Sequence, residues 1–173
     1  KQGAGIQMYS SNGSDAQRFY LTETAADRHE WDDVYTFGTT LNAGRSVIDV
    51  AGGSKASGAN IQIYTYNASK AQQFRVIYSG GGYYRILNVN SGCAMDVQGG
   101  NPGDWINIWQ YTYNGSDAQL WKLVQNSDGT VTLKNKKGKV LDVAGGSSAN
   151  GANVQTYTSN GSKAQKWILT KLS

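Results

Sequence analysis

Two stretches of the chain carry the same hydrogen-bonding and aromatic side chains at the same spacing. They are Asp49, Gln62 and Tyr64 in the first stretch, and Asp142, Gln155 and Tyr157 in the second. A carboxylate accepts charge-assisted hydrogen bonds, and an amide both donates and accepts them. An aromatic ring adds a rigid apolar face at low entropic cost. A ligand that combines hydroxyl groups with an apolar face matches this set, and a sugar ring is such a ligand.

A looser third copy lies between the other two and carries Asp96, Trp109 and Tyr111. Trp109 stands where the other copies have glutamine, and the neighbouring Gln110 points to the opposite face of the predicted strand. This copy is therefore predicted to be altered. It is either inactive or reads a different sugar through two aromatic rings.

The copies recur at a step of about 47 residues, and each ends in a Gln-x-aromatic triplet that begins at Gln72, Gln119 or Gln165. A fixed period of this length indicates one supersecondary unit repeated along the chain. Each glutamine is predicted to bond buried backbone groups rather than a ligand. The aspartates have an alternative role too, since an Asp before Gly-Gly can cap a turn.

The elements that position these side chains are predicted to be short strands. The chain has 173 residues with 22 Gly, 11 Tyr and 5 Trp, a composition typical of many short strands joined by turns. In Ile61-Gln62-Ile63-Tyr64 the isoleucines share one face and the polar residues share the other. The positions expected to be equivalent and buried are Val50, Val97, Val143, Phe74, Trp121 and Trp167.

The repeats divide the chain into three four-stranded units at about 34–79, 80–125 and 126–173. Residues 1–21 match only the second half of a unit, so they are predicted to be left from a preceding domain. Residues 22–33 match nothing else and are predicted to be a linker. Three complete units are expected to fold without residues 1–30.

Catalysis is not expected. The one histidine, His29, lies in the predicted linker, and the one cysteine, Cys93, has no local partner motif and no second cysteine for an intrachain disulfide. Asp27, Glu30 and Asp32 beside His29 could hold a metal, but a solvated acidic linker is the favoured interpretation. No cofactor is predicted.

The net charge is +4, and lysines cluster around Gly138. They are Lys134, Lys136, Lys137 and Lys139. A solvated hairpin tip is favoured over a nucleic-acid patch. No apolar run is long enough to enter a membrane as a spanning segment.

Three repeats of this length that end in Gln-x-Trp or Gln-x-Phe resemble the ricin-type β-trefoil lectins. The resemblance covers about 34–173 and implies an all-β β-trefoil, a six-stranded barrel capped by three hairpins with up to one shallow sugar site per repeat. It assigns the family's site aspartate to Asp49, Asp96 and Asp142. It assigns the site glutamine to Gln62 and Gln155, and the stacking aromatic to Tyr64, Tyr111 and Tyr157.

Two family features are absent, a sugar-binding asparagine and a frequent disulfide within the repeats. Where the family often has a sugar-binding asparagine before the last glutamine, this chain has Ala71, Ala118 and Ala164. One sugar contact is therefore either missing or supplied elsewhere, with Asn60 and Asn153 as the candidates.

The resemblance implies a carbohydrate-binding module for galactose-type or other exposed sugars. It also implies an extracellular or cell-surface location within a larger multidomain protein. The alternative is a protein-interaction or architectural trefoil whose sugar sites have decayed.

Overall fold

The structure is a computed structural model, and it describes residues 29–172. This region contains twelve strands, four for each predicted repeat. They are β1 (Asp33–Thr39), β2 (Ser46–Val50), β3 (Ile61–Thr65), β4 (Phe74–Gly80), β5 (Tyr83–Asn88), β6 (Ala94–Val97), β7 (Ile106–Tyr111), β8 (Trp121–Gln125), β9 (Val131–Asn135), β10 (Val140–Val143), β11 (Val154–Tyr157) and β12 (Trp167–Lys171). The prediction of three four-stranded units is confirmed.

The first and last strands of the repeats form a closed antiparallel barrel. In order around the barrel, β1 pairs with β4, β4 with β5, β5 with β8, β8 with β9, β9 with β12, and β12 again with β1. The middle strands form the hairpins β2–β3, β6–β7 and β10–β11 at one end. Six barrel strands capped by three hairpins make a β-trefoil, as predicted.

The helical segments within residues 29–172 are 3-10 turns of three residues each. No helix of three or more turns therefore occurs in this part of the chain, in agreement with an all-β fold. In the same part of the chain, no helix has the length and apolarity needed to span a membrane.

The core is built from equivalent positions of the three repeats. The predicted core residues Val50, Val97, Val143, Phe74, Trp121 and Trp167 all have 0% exposure. The indole Nε1–H of Trp121 donates to the Met95 carbonyl at 3.1 Å, and that of Trp167 donates to the Leu141 carbonyl at 3.4 Å. The two tryptophans therefore join the barrel to the hairpin strands by a hydrogen bond as well as by packing.

The glutamines of the Gln-x-aromatic triplets bond the backbone, as predicted. Gln119 has 0% exposure; its Nε2 donates to the Thr112 carbonyl at 3.0 Å and its Oε1 accepts from the Asn114 N–H at 2.8 Å. Gln72 and Gln165 make the same pair of bonds in their repeats. Each glutamine thus attaches the end of a hairpin to the turn that precedes a barrel strand.

The segment just before β1 packs on β4. The imidazole ring of His29 stacks on Tyr78 with ring centroids 3.6 Å apart, and Asp32 Oδ1 accepts from the Tyr78 N–H at 2.6 Å. Trp31 packs against the core. The half repeat predicted over 1–21, Asp27 and residues 22–28 of the linker lie outside the described residues. Within 29–172, no group of three or more His, Cys, Asp or Glu side chains is arranged to hold a metal ion.

Candidate functional site

The first repeat forms a surface cleft, called cleft 1, around Asp49, Gln62 and Tyr64. Its volume is about 420 Å³. Asp49 and Gln62 lie opposite each other on β2 and β3, and Gln62 Nε2 donates to Asp49 Oδ1 at 3.1 Å. Asp49 is 6% exposed while Tyr64 is 41% exposed, so the carboxylate forms the floor and the phenol ring forms a wall.

The third repeat forms the equivalent cleft 3 around Asp142, Gln155 and Tyr157, with a volume of about 440 Å³. Asp142 and Gln155 are opposite each other on β10 and β11, and Gln155 Nε2 donates to Asp142 Oδ1 at 3.0 Å. The structure therefore brings together the three side chains that the sequence pattern grouped in each of the two repeats.

A Gly-Gly turn borders each cleft and requires glycine for its backbone conformation. Gly52 and Gly53 have φ of 64° and 61°, and Gly145 and Gly146 have the same values. A Cβ at any of these four positions would meet nothing within 4 Å, so a side chain would not clash there. Glycine is favoured because the backbone is in the left-handed region. The bare turns leave one side of each cleft open to a ligand.

The site carboxylates do not cap these turns. In all three repeats the aspartate accepts a hydrogen bond from the side chain thirteen residues later, on the facing hairpin strand. The alternative role considered from the sequence, in which each aspartate caps its Gly-Gly turn, is therefore not seen in the described residues. Hairpin pairing instead fixes the carboxylates at the cleft floors.

The carboxylates of clefts 1 and 3 differ in how far the protein already engages them. Asp142 also accepts from Gln165 Nε2, at its second oxygen, at 3.1 Å. Within residues 29–172, no hydrogen bond reaches Asp49 Oδ2. Burial, the largest effect, raises the pKa of the Asp142 carboxyl, and the negative charge of Asp104 raises it further. Hydrogen bonds from Gln155 and Gln165 lower this pKa in part.

The second repeat is altered in the way the sequence indicated. Trp109 Nε1–H donates to Asp96 Oδ1 at 2.7 Å, in the place of a glutamine amide. The rings of Trp109 and Tyr111 stack with centroids 5.2 Å apart at 19°. Burial raises the pKa of Asp96, while hydrogen bonds from Trp109 and Gln119 lower it. The two stacked rings cover part of each other, so this repeat offers a different surface from clefts 1 and 3.

The sequence matches the profile of a family described as ricin-type beta-trefoil lectin domain-like, over residues 27–109, 70–157 and 135–173. The chain belongs to the ricin-type β-trefoil lectin family. The ricin B-like lectin fold is one that supports carbohydrate binding in general. A comparison with curated protein sequences found no match.

Solved structures of the same fold agree with this family. ThreeFoil, a designed threefold symmetric protein, is 37% identical with a TM-score of 0.78, over 80% of this chain and 99% of that one. The exo-β-1,3-galactanase 1,3Gal43A from Clostridium thermocellum is 34% identical with a TM-score of 0.77, over 81% of this chain and 30% of the enzyme. The Rhizoctonia solani agglutinin is 25% identical with a TM-score of 0.73, over 82% and 96%. The family is one of lectin-like modules, and in the galactanase such a module belongs to an enzyme.

Asn60 and Asn153 are the predicted site residues that this lectin-family structure does not bring to the clefts. Their side-chain amides form a closed ring with Asn107 around the pseudo-threefold axis. Asn60 donates to Asn153, Asn153 to Asn107, and Asn107 to Asn60, each at 2.9 Å. Each amide is both donor and acceptor within the ring, so the asparagines connect the three hairpins rather than lining a cleft.

Trp105 is one of several lining residues of cleft 3 that the sequence pattern missed. Trp105, from the loop before β7, lies at the edge of this cleft with its ring centroid 5.4 Å from that of Tyr157. It belongs to the second repeat but completes the cleft of the third. Alignment of the repeats marks Trp105 as unusual, because the equivalent positions are Gly58 and Gly151, but it does not place the residue at this cleft.

Proposed function

We propose that this chain is a carbohydrate-binding module that recognises exposed glycans through clefts 1 and 3. The observation that carries the proposal is the pairing of a buried carboxylate with an amide beside a partly exposed tyrosine, made twice by the same register. In cleft 1 these groups are Asp49, Gln62 and Tyr64. A ligand there would receive hydrogen bonds at its hydroxyl groups and an apolar surface at its ring face.

Galactose-type sugars are the proposed ligands. Membership of the ricin-type family supports this choice, and so does the 34% identity to part of an enzyme that acts on β-1,3-galactan. An axial hydroxyl leaves one face of a galactose ring with a continuous patch of C–H groups, which suits an aromatic wall. The second repeat, with its Asp96–Trp109 bond, is not assigned a competent site.

The module is proposed to direct a larger extracellular or cell-surface protein to glycans. The galactanase supports this role, since the chain matches 30% of its length. Each cleft is shallow and would bury few ligand atoms, so single-site dissociation constants on the order of 0.1–1 mM are expected. Two clefts on one rigid barrel would then act together on a glycan-covered surface.

A glycan array followed by competition tests this proposal. The chain is expected to bind galactose-terminated glycans, and free galactose is expected to displace it more effectively than glucose. If free sugars did not displace the chain, or if the chain bound only protein ligands without glycans, the alternative of an interaction trefoil with decayed sugar sites would be favoured.

A further inference from the structure

Trp105 has a backbone conformation that favours glycine, and glycine is present at the equivalent positions of the other two repeats. Its φ is 62°, in the left-handed region that a side chain disfavours, and its side chain is 71% exposed. The equivalent residues in the other repeats are Gly58 with φ of 90° and Gly151 with φ of 83°. An exposed indole held in a strained conformation marks a position to examine for function.

The same hydrogen bond fixes the backbone at all three positions. The Trp105 N–H donates to the Thr156 carbonyl at 2.9 Å, across to the third repeat. The Gly58 N–H donates to the Gln110 carbonyl at 2.7 Å, and the Gly151 N–H to the Ile63 carbonyl at 2.9 Å. Each loop is therefore attached to the hairpin of a neighbouring repeat, with or without a side chain at this residue.

The preceding residue adds a second attachment in each repeat. Asp104 accepts from Thr158 Oγ1 at 3.0 Å and from Lys139 Nζ at 2.8 Å. Asn150 and Ser57 accept from the Thr65 and Thr112 N–H groups at 2.8 and 3.0 Å. The loop is anchored at every repeat, so the indole of Trp105 is not what holds it in place.

The indole stands at the edge of cleft 3 as a second wall. Its ring meets that of Tyr157 at 71°, so the two walls form a corner. Two faces of one flat sugar ring cannot contact both walls, because a sandwich requires parallel planes. The Trp105 wall is therefore available to a different part of the ligand.

We propose that Trp105 gives cleft 3 a subsite for a second sugar residue, which packs on the indole while the terminal sugar packs on Tyr157. This inference rests on the proposed function of cleft 3. Cleft 1 has Gly151 at the equivalent place, with only the Gln62 amide 3.8 Å from where a Cβ would lie. Cleft 3 thus prefers a disaccharide or a longer glycan, whereas cleft 1 binds a single terminal sugar.

The test compares a mono- and a disaccharide at each cleft separately. Asp49→Asn leaves cleft 3 for measurement, and Asp142→Asn leaves cleft 1. Methyl β-galactoside and β-1,3-galactobiose are titrated against both by calorimetry. The disaccharide is expected to bind about 3- to 10-fold more tightly than the monosaccharide at cleft 3, as one aromatic contact would give. The ratio is expected to be near one at cleft 1.

Two reciprocal substitutions then assign the preference. Trp105→Gly in the cleft-3 background should bring the ratio down to that of cleft 1. Gly151→Trp in the cleft-1 background should raise it, since the loop there carries the same anchors. Circular dichroism spectra and melting curves establish that both variants are folded.

The outcomes separate the subsite from the proposed function. The subsite is overturned if Trp105→Gly leaves the affinity ratio unchanged. It is also overturned if the monosaccharide N-acetylgalactosamine gains as much affinity over the galactoside as the disaccharide does, because that would assign Trp105 to an acetamido group. In both cases sugar binding at cleft 3 stands. Absence of binding of either saccharide to the wild-type chain would overturn the subsite and the proposed function together.

Discussion

At the scale of single residues, the site carboxylates combine burial with hydrogen-bonding capacity. Asp49 and Asp142 are 6% and 5% exposed, and each accepts from a glutamine on the facing strand. An ionised carboxylate has about four lone-pair sites, so one or two protein bonds leave capacity for sugar hydroxyls. The facing glutamine orients the carboxylate before a ligand arrives, which reduces the entropic cost of binding.

As the pH is lowered, sugar binding at cleft 3 is expected to weaken at a higher pH than the pH at which an ordinary aspartate becomes protonated. Under the proposed function the ionised Asp142 accepts from sugar hydroxyls, and burial raises the pKa of its carboxyl. Because this folded-state pKa lies above the unfolded one, protonation of Asp142 favours the folded state, so its contribution to stability grows as pH falls through that pKa. Affinity and stability should therefore change in opposite directions. Calorimetric titration of the Asp49→Asn variant across acidic pH, with a melting curve at each pH, measures both.

Loss of affinity only where the chain unfolds would contradict this assignment. Asp142→Asn provides the control for stability, because an amide does not titrate. Its melting curves should lack the gain in stability on acidification that the Asp142 carboxyl contributes.

Ala68 is expected to be a strained residue whose replacement by glycine stabilises the fold. It has φ of 61°, whereas the equivalent Gly115 and Gly161 have 73° and 71°. The turn is otherwise the same, since Asn67 Oδ1 accepts from the Ser69 N–H as Asn114 does from Ser116. A left-handed conformation costs a non-glycine residue roughly 1–2 kcal/mol, partly offset by the greater chain entropy of glycine when unfolded. Ala68→Gly should raise the free energy of unfolding by about 0.5–1 kcal/mol in urea titration.

The matched control is Gly115→Ala, which introduces the same strain in the second repeat. It should lower the free energy of unfolding by a similar amount. Equal stability of both variants and the wild type would mean that the turn relaxes around alanine.

At the scale of elements, each hairpin is attached to the barrel through a buried glutamine. Gln119 has 0% exposure and bonds both the Thr112 carbonyl and the Asn114 N–H. These backbone groups end the hairpin strand β7 and begin the turn toward β8. Residues of the hairpin and of the following turn both line clefts 1 and 3.

Gln119→Met is expected to destabilise the fold by about 2–4 kcal/mol. Methionine matches the shape of glutamine but leaves a backbone N–H and a carbonyl without partners, at about 1–3 kcal/mol each. Urea unfolding followed by tryptophan fluorescence measures the change. Gln73, whose Nε2 bonds the Ala68 carbonyl in an exposed setting, offers a control. Gln73→Met should change stability by less than about 1 kcal/mol, and an equal loss in both variants would argue against the special role of the buried glutamines.

Strand alternation and the repeat step were sufficient to predict which side chains meet. Asp49, Gln62 and Tyr64 come together because the β2–β3 register places Asp49 opposite Gln62, and Tyr64 lies two residues further on the same face. The register also explains why Trp109 meets Asp96 in the second repeat. These relations are local to one hairpin, so the sequence of that hairpin contains them.

Relations between repeats were not predictable in the same way. Asn60 and Asn153 lie directly before β3 and β11, but the pseudo-threefold axis brings them to Asn107 rather than to a cleft. Trp105 reaches the cleft of the next repeat through a left-handed loop. Both results depend on how three hairpins are placed around one axis, which no single repeat encodes.

At the scale of the whole molecule, the proposed function predicts multivalent attachment through two clefts on one closed barrel. Barrel closure fixes clefts 1 and 3 relative to each other, so a glycan-covered surface that fits both meets a preorganised pair. Linked sites of this kind can gain about 10²–10⁴ in apparent affinity without new contacts. The chain should therefore bind a dense galactosylated surface far more tightly than free galactose in surface plasmon resonance. Asp142→Asn, which leaves one cleft, should remove most of that gain, and a gain that persists would indicate that the clefts do not act together.

The central claim, that Asp49 and Asp142 are the sugar-binding carboxylates, is most directly tested by calorimetric titration of three chains with one galactose-terminated glycan. The chains are the wild type, the double variant Asp49→Asn with Asp142→Asn, and the control Asp96→Asn. Asp96 is 5% exposed and lies at the equivalent position, but its Oδ1 is engaged by the Trp109 indole. The double variant is predicted to lose detectable binding while remaining folded, and the Asp96 variant to bind like the wild type. Intact binding by the double variant would contradict the claim.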